Sequence, residues 1–181
     1  MNATVFLVST LFNLYLMVII LRLWLQLARA DFYNPFSQFV VKATQPVVGP
    51  LRRIIPSIGR LDTATLVFAI LVVTLKFVVL TALFGNGNFN IVAILITALA
   101  SLVSEIVNLV FWILILRAIL SWVSQGNNPI ELVMYQLTEP FLAPIRKILP
   151  PMGGLDLSVL VAIIALQFIR LLIGDVFGPL A

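Results

Sequence analysis

The chain of 181 residues is 62% hydrophobic and 10% charged, where an average soluble domain is roughly 45–50% and 25%, and that balance places it in a bilayer. It has no cysteine and no histidine, which excludes disulfides, thiolate zinc sites, imidazole-ligated haem and every histidine-based catalytic triad. Eleven Lys and Arg against seven Asp and Glu give a net charge of +4; in a membrane protein this marks loops facing anionic lipid, and no basic run interleaved with aromatics points to nucleic acid.

A helix needs about 20 apolar residues to cross a hydrocarbon core of about 30 Å. Four stretches qualify, at residues 4–27, 62–84, 91–123 and 155–177, and all are expected to be helical because a lone strand leaves its backbone unpaired in lipid. The third exceeds one crossing, either by tilt or by a short interfacial helix after the turn at 85–90. Although Ala28-Arg29-Ala30 has the form of a signal-peptidase site, no Lys or Arg precedes Arg22, so the basic start of a signal peptide is lacking. Arg29, Lys42, Arg52, Arg53 and Arg60 follow the first span, and Arg146 and Lys147 follow the third. By the positive-inside rule both connections face the cytoplasm and both termini face outward, the expected setting being a bacterial inner membrane.

The two connections are copies. Pro46 and Pro140, Pro50 and Pro144, Arg52 and Arg146, Pro56 and Pro150, Gly59 and Gly153, and Asp62 and Asp156 are all 94 positions apart, as are Asn34-Pro35 and Asn128-Pro129, and Lys76 and Arg170. Asn13 and Arg22 match Asn108 and Arg117 at an offset of 95. The expected fold is therefore all-α and integral to the membrane: four transmembrane helices from two parallel tandem repeats, related by an axis along the membrane normal. Repeat one covers 1–84, with spans at 4–27 and 62–84 around an interfacial element at 34–61. An outer loop at 85–90 leads to repeat two at 91–181, with spans at 91–123 and 155–177 around an element at 128–154. The second copy is less basic, with Lys147, Pro151 and Gly154 at the positions of Arg53, Ser57 and Arg60.

A span ending in Leu-Arg, an Asn-Pro helix start, the run Gln/Glu-Pro-x-x-x-Pro-x-Arg-Arg/Lys-Ile-x-Pro-x-x-Gly-x-x-Asp and a second span, all twice, resemble the YggT (YlmG/Ycf19-like) family of small integral membrane proteins in its two-repeat proteobacterial form. The resemblance covers nearly the whole chain. It implies links to osmotic stress and cell division, as in bacterial members, or to cytochrome b6 haem maturation and nucleoid distribution, as in plastid relatives. It implies no catalytic or ligand residues.

Within each connection, Asn34 and Asn128 are expected to cap helices opened by Pro35 and Pro129, with Glu131 at the capping-box position. Phe36, Phe39, Val40, Ala43 and Val47, and Ile130, Val133, Met134 and Leu137 in the second copy, recur at helical spacing and predict an amphipathic helix in the headgroup plane or against the other spans. Pro46 is expected to break that helix and Pro50 to start another, with Leu51, Ile54 and Ile55 inward and Arg52 and Arg53 toward phosphates. Gly59 is expected to turn the chain, and Asp62 to cap the second span. The element is either a re-entry loop that fixes topology or a docking surface for lipid or partner, formed by Lys42, Arg52, Arg53, Arg60, Arg146 and Lys147.

Other charges lie inside the spans. Arg22 and Arg117 either snorkel or pair with Asp62 and Asp156. Lys76 and Arg170 lie about 21 Å into their spans, near the depth of Glu105, which is expected to pair with one of them; snorkelling is the rival. Such a pair is a structural lock or a step on an ion path. Asn13 and Asn108 are read as interhelical polar contacts, and Trp24, Trp112 and Trp122 as packing or interface anchors.

With no catalytic constellation, metal set or cofactor motif, the chain reads as a non-catalytic scaffold or assembly factor. Anionic membrane lipids are its expected partners, along with another membrane protein or further copies of itself. The alternative is a small oligomeric channel or transport component.

Overall fold

The computed structural model describes residues 2–85, 89–123, 128–149 and 157–177. Six helices follow one another: α1 (Ala3–Leu27), α2 (Pro35–Ile54), α3 (Thr63–Phe84), α4 (Ile91–Val123), α5 (Pro129–Ile148) and α6 (Leu157–Phe177). Four of them, α1, α3, α4 and α6, are long and apolar enough to cross a membrane. The third is one continuous helix of 33 residues, so its extra length is not a separate interfacial segment. Leu155 and Asp156, expected to open the last span, lie outside the described residues.

α1 packs on α3, while α4 lies centrally against α1, α3 and α6. α2 and α5 cross the same end of this bundle and touch each other. Leu16, Ile19, Leu25, Val40, Val48, Val73, Val133 and Leu137 form a core shared by the helices of both halves, and a smaller cluster of Leu114, Leu142, Val159 and Ala162 joins α4, α5 and α6.

α1 ends in a Schellman motif. The N–H of Ala30 donates to the Leu25 carbonyl at 3.0 Å and that of Arg29 to the Gln26 carbonyl at 3.2 Å, the paired bonds that satisfy a helix's last acceptors. Arg29 occupies the left-handed position with φ 52°, where glycine is usual. Ala30 and Leu25 are both buried, supplying the apolar contact that accompanies the motif.

α2 opens as its Asn-Pro start dictates. Asn34 Oδ1 accepts from the Phe36 N–H at 3.0 Å, and Pro35, lacking an N–H, stands where that donor would have no helical acceptor. Asn128 accepts from Ile130 at 2.9 Å in the same way. Glu131 does not complete a capping box, because its Oε2 is buried with no hydrogen-bond partner among the described residues.

Two expectations for α2 are corrected. The helix runs unbroken through Pro46 and Pro50, as α5 does through Pro140 and Pro144. An interior proline costs about 3 kcal/mol, but these four project from exposed faces, while the opposite faces are held by burial. That buried face is also rotated from the expected one: it is Ser37, Val40, Thr44 and Val48, whereas Phe39, Val47 and Ile54 are exposed. Two small hydroxylated residues permit close approach to the bundle, and the bulkier apolar side chains are turned outward.

After α2 the chain reverses through a two-residue hairpin. Ile58 and Leu61 exchange both backbone bonds, at 3.1 and 3.0 Å, around Gly59 at φ 59°, the positive φ that this class of turn demands of its first central residue.

Asn34 is buried and its Nδ2 also donates to the Pro129 carbonyl at 2.7 Å, tying α2 to α5, whereas exposed Asn128 only caps its own helix. Asn128→Ala should therefore cost about 1 kcal/mol and Asn34→Ala about twice that, read as ordered drops in thermal midpoint of the purified protein in detergent.

Candidate functional site

The polar side chains of α1, α2 and the start of α3 converge where α2 crosses the bundle. Arg22 lies five residues before the end of α1 and is only 3% exposed. Its Nη1 donates to Thr44 Oγ1 at 2.8 Å and to the Val41 carbonyl at 3.3 Å, and its Nη2 donates to Gln45 Oε1 at 2.8 Å. Thr44, fully buried, passes its own proton to the Val40 carbonyl at 2.8 Å. Arg22 thus neither snorkels nor pairs with Asp62: α2 lies directly over it and offers neutral acceptors nearer.

Asp62 is taken by Arg52 instead. It is completely buried at the start of α3 and accepts from Arg52 Nη2 and, at 3.2 Å, from Arg52 Nε. It also accepts from the Thr65 hydroxyl and, at 3.4 Å, from the Thr65 N–H, which makes it the cap of α3. Arg52 Nη2 reaches Gln26 Oε1 of α1 at 2.9 Å as well. One guanidinium therefore joins α1, α2 and α3. Burial raises the Asp62 carboxyl, but the hydrogen bonds from Arg52 and Thr65 and the charge of Arg52 outweigh it and hold the group below the usual carboxylate range. Arg52 turns its guanidinium to Asp62 and Gln26 although its side chain remains 38% exposed, and Lys42, Arg53 and Arg60 are exposed as well.

A cavity of about 400 Å³ opens over this cluster, lined by Arg22, Gln26, Phe32, Val41, Gln45 and Arg52.

The second half builds a related cluster. Arg117 Nη1 donates to the buried Thr138 hydroxyl, which donates to the Met134 carbonyl at 2.7 Å. Arg117 Nη2 reaches Glu139 at 3.2 Å, and Arg146 Nη1 reaches the other oxygen of Glu139 at 2.8 Å. The Arg117 guanidinium also stacks 4.8 Å from the centre of the Tyr135 ring. Asp156 lies outside the described residues; the acid seen beside Arg117 is Glu139. Lys147 is exposed.

Deeper in the bundle, Lys76 Nζ donates to Asn13 Oδ1 at 2.8 Å, linking α3 to α1. Arg170 stacks 5.1 Å from the centre of the Phe111 ring. Glu105 makes no ion pair with either; among the described residues, the ion pairs are Arg52 with Asp62 and Glu139 with Arg117 and Arg146. Asn13 accepts from the amine and Phe111 stacks on the guanidinium, while Glu105 lies beside two cavities. One, of about 290 Å³, it shares with Ser104, Asn108, Arg170, Ile173 and Gly174; the other, of about 350 Å³, with Asn13 and Asn108 between α1 and α4. Trp24 is buried edge-on to Phe141, and Trp112 is exposed.

Thr44, Thr138, Gln26, Thr65 and the difference between Gln45 and Glu139 escape a reading based on charge. For Thr44, Thr138, Gln45 and Glu139 the signal lay in the matched Thr-Gln-Pro and Thr-Glu-Pro triplets, which carry residues that receive the arginines.

Because the folded-state Asp62 carboxyl is depressed, its stabilisation is complete above an unfolded value near about pH 4 and is lost as pH falls through the lower folded value. Asp62→Asn should lower stability at neutral pH by about 2 kcal/mol and flatten the loss of thermal midpoint between pH 7 and pH 3, measured on the purified protein in detergent.

The chain is similar to several known proteins. The CCB3/YggT family matches residues 1–83 and 96–177. A Vibrio alginolyticus protein named only for its position in the proC 3′ region is 62% identical, covering 99% of this chain and 98% of its own. The Escherichia coli K12 protein YggT is 47% identical over 97% of this chain and 92% of its own, and Pseudomonas aeruginosa PA0392 is 45% identical over 95% and 88%. No solved structure matches. On sequence and on the extent of the match, the chain belongs to the CCB3/YggT family.

Proposed function

We propose that this protein is a non-catalytic scaffold or assembly factor of the bacterial inner membrane, built as two parallel repeats. In this reading the α2/α5 end lies amphipathically among cytoplasmic headgroups, gathering anionic lipid and presenting a surface to another membrane protein or a second copy. The observation that carries it is the mixed surface of that end. Lys42, Arg53, Arg60 and Lys147 are exposed there beside exposed Tyr33, Phe39, Ile54, Ile58 and Ile148. Ile54, at 79% exposed, adjoins two arginines; apolar side chains enter the acyl boundary while neighbouring cations meet phosphate, as in interfacial helices. A role in osmotic tolerance, cell division or maturation of membrane proteins follows from the family resemblance.

Each exposed cation near an anionic leaflet contributes about 1 kcal/mol. Replacing Lys42, Arg53, Arg60 and Lys147 one at a time with Ala should therefore weaken the preference for phosphatidylglycerol over phosphatidylcholine about fivefold per residue, measured by spin-labelled lipid partitioning in reconstituted vesicles. An unchanged preference in the fourfold variant refutes the reading.

The cavities around Glu105 favour a second reading, an oligomeric channel or transport component, since ionisable groups inside spans mark ion paths. Under the scaffold reading, purified protein in liposomes carries no ion flux above protein-free vesicles. Flux that Glu105→Gln alters establishes the channel instead.

A further inference from the structure

The two arginine clusters differ in charge at one corresponding position. In the second half the Glu139 carboxylate bridges Arg117 and Arg146, at 3.2 and 2.8 Å. In the first half the residue before the matching proline is Gln45. Arg22 there has neutral hydrogen-bond partners, Val41, Thr44 and Gln45, and no carboxylate within ion-pair distance. Arg22, Arg52 and Asp62 together leave the cluster with one net positive charge, in a place where Arg22 is almost wholly withdrawn from solvent. An uncompensated buried cation is unfavourable, so this cluster is electrostatically suited to one negative charge from outside the chain.

The hydrogen-bonding character of the walls narrows its chemistry. Arginine only donates, so Gln45 and Gln26 must turn their amide oxygens to Arg22 and Arg52, as they do at 2.8 and 2.9 Å. Their NH2 groups are then the ends left for other partners. Arg22 Nε and Arg52 Nη1 likewise have no acceptor among the described residues. The polar side chains around the roughly 400 Å³ cavity thus have donors to offer and their acceptors in use. Two guanidinium groups among such donors are the recognised chemistry for a phosphate or carboxylate oxyanion. The cavity is lined from the last turns of α1 by Arg22 and Gln26 and is flanked by Phe32 and Val41; under the placement proposed above, that apolar rim lies at headgroup depth.

We infer that the cavity between α1 and α2 is a binding site for a singly charged phosphate group, held by Arg22, Arg52, Gln26 and Gln45, and that the phosphodiester of an anionic phospholipid fills it. In the second half a built-in carboxylate takes the corresponding role. The proposal deepens the lipid-gathering reading above, since it places one tightly held lipid behind the loosely attracted ones.

The test uses the full chain in mixed micelles, titrated with phosphatidylglycerol, phosphatidylcholine or inorganic phosphate, with bound phosphorus followed by 31P NMR and folding by thermal midpoint. The native chain binds one phosphatidylglycerol in preference to phosphatidylcholine. Gln45→Glu, which supplies the carboxylate that the second half has, lowers that affinity at least tenfold without lowering the thermal midpoint; Gln26→Glu, on the other wall, does the same. Binding of inorganic phosphate alone, abolished by the same substitutions, keeps the oxyanion site and assigns it to a soluble phosphate rather than a lipid. Unchanged phosphatidylglycerol binding by folded Gln45→Glu and Gln26→Glu overturns the proposal. Removing Lys42, Arg53, Arg60 and Lys147 together leaves this one site intact, so loss of general lipid preference and loss of the held phosphate separate the two readings.

Discussion

A guanidinium withdrawn from water must place its N–H groups on acceptors, because a buried donor left unpaired is costly. Arg22 and Arg117 meet this demand in the same way, each donating to a threonine one helix away. Each threonine hands its own proton to the carbonyl four residues earlier. The arrangement fixes the height and rotation of α2 on α1 and of α5 on α4, and every other feature of that end follows from it. With Thr44 and Thr138 pointing inward, Val40, Val48, Val133 and Leu142 are buried alongside, and the prolines are forced onto the outer faces.

That orientation explains how helices carrying two interior prolines persist. A proline removes one N–H and crowds the carbonyl a turn earlier, a penalty that an isolated peptide would resolve by breaking. Here the remaining turns are anchored from inside by arginine, from the ends by Asn34 and Asn128, and across the join by the Asn34 bond to Pro129 and the Gln136 bond to the Asp31 N–H. The Arg52–Asp62 pair then fastens the end of α2 to the start of α3. Connection and electrostatics are thus coupled: Arg52, near the end of α2, also holds that helix to α1 and to the start of α3.

The sequence made legible whatever depends on neighbours along the chain. Apolar length showed the four spanning helices, Asn-Pro marked both cap positions, and Gly59 and Asp62 announced the turn and the start of α3. The destinations of side chains were not legible. Pro46 reads as a helix breaker because propensity counts only local cost, and the packing that offsets it comes from α1 and α3. Phe39 and Ile54 read as buried because, in a membrane, an outward face can be as apolar as an inward one, so hydrophobicity no longer distinguishes core from surface. Arg22 and Lys76 invited pairing by depth alone, yet Gln45, Thr44 and Asn13 supplied neutral partners that formal charge cannot reveal. The identity of those partners depends on which helix faces lie together.

The unbroken α4 sets a condition on the lipid around it. Thirty-three helical residues extend about 50 Å, and a tilt of 40°, the extreme for such helices, still leaves about 38 Å along the membrane normal against a hydrocarbon slab of about 30 Å. Ile91, Val92, Leu95 and Ile96 are exposed at its first turns, so surplus length there is greasy. In a slab of that thickness the surplus is met by stretched acyl chains or by turns at either end of α4 emerging among headgroups, and mismatch carries a penalty of fractions of a kcal/mol per Å that falls as the bilayer thickens. The length of α4 is therefore a term, independent of any charge, in how well a bilayer of given thickness accommodates such a helix.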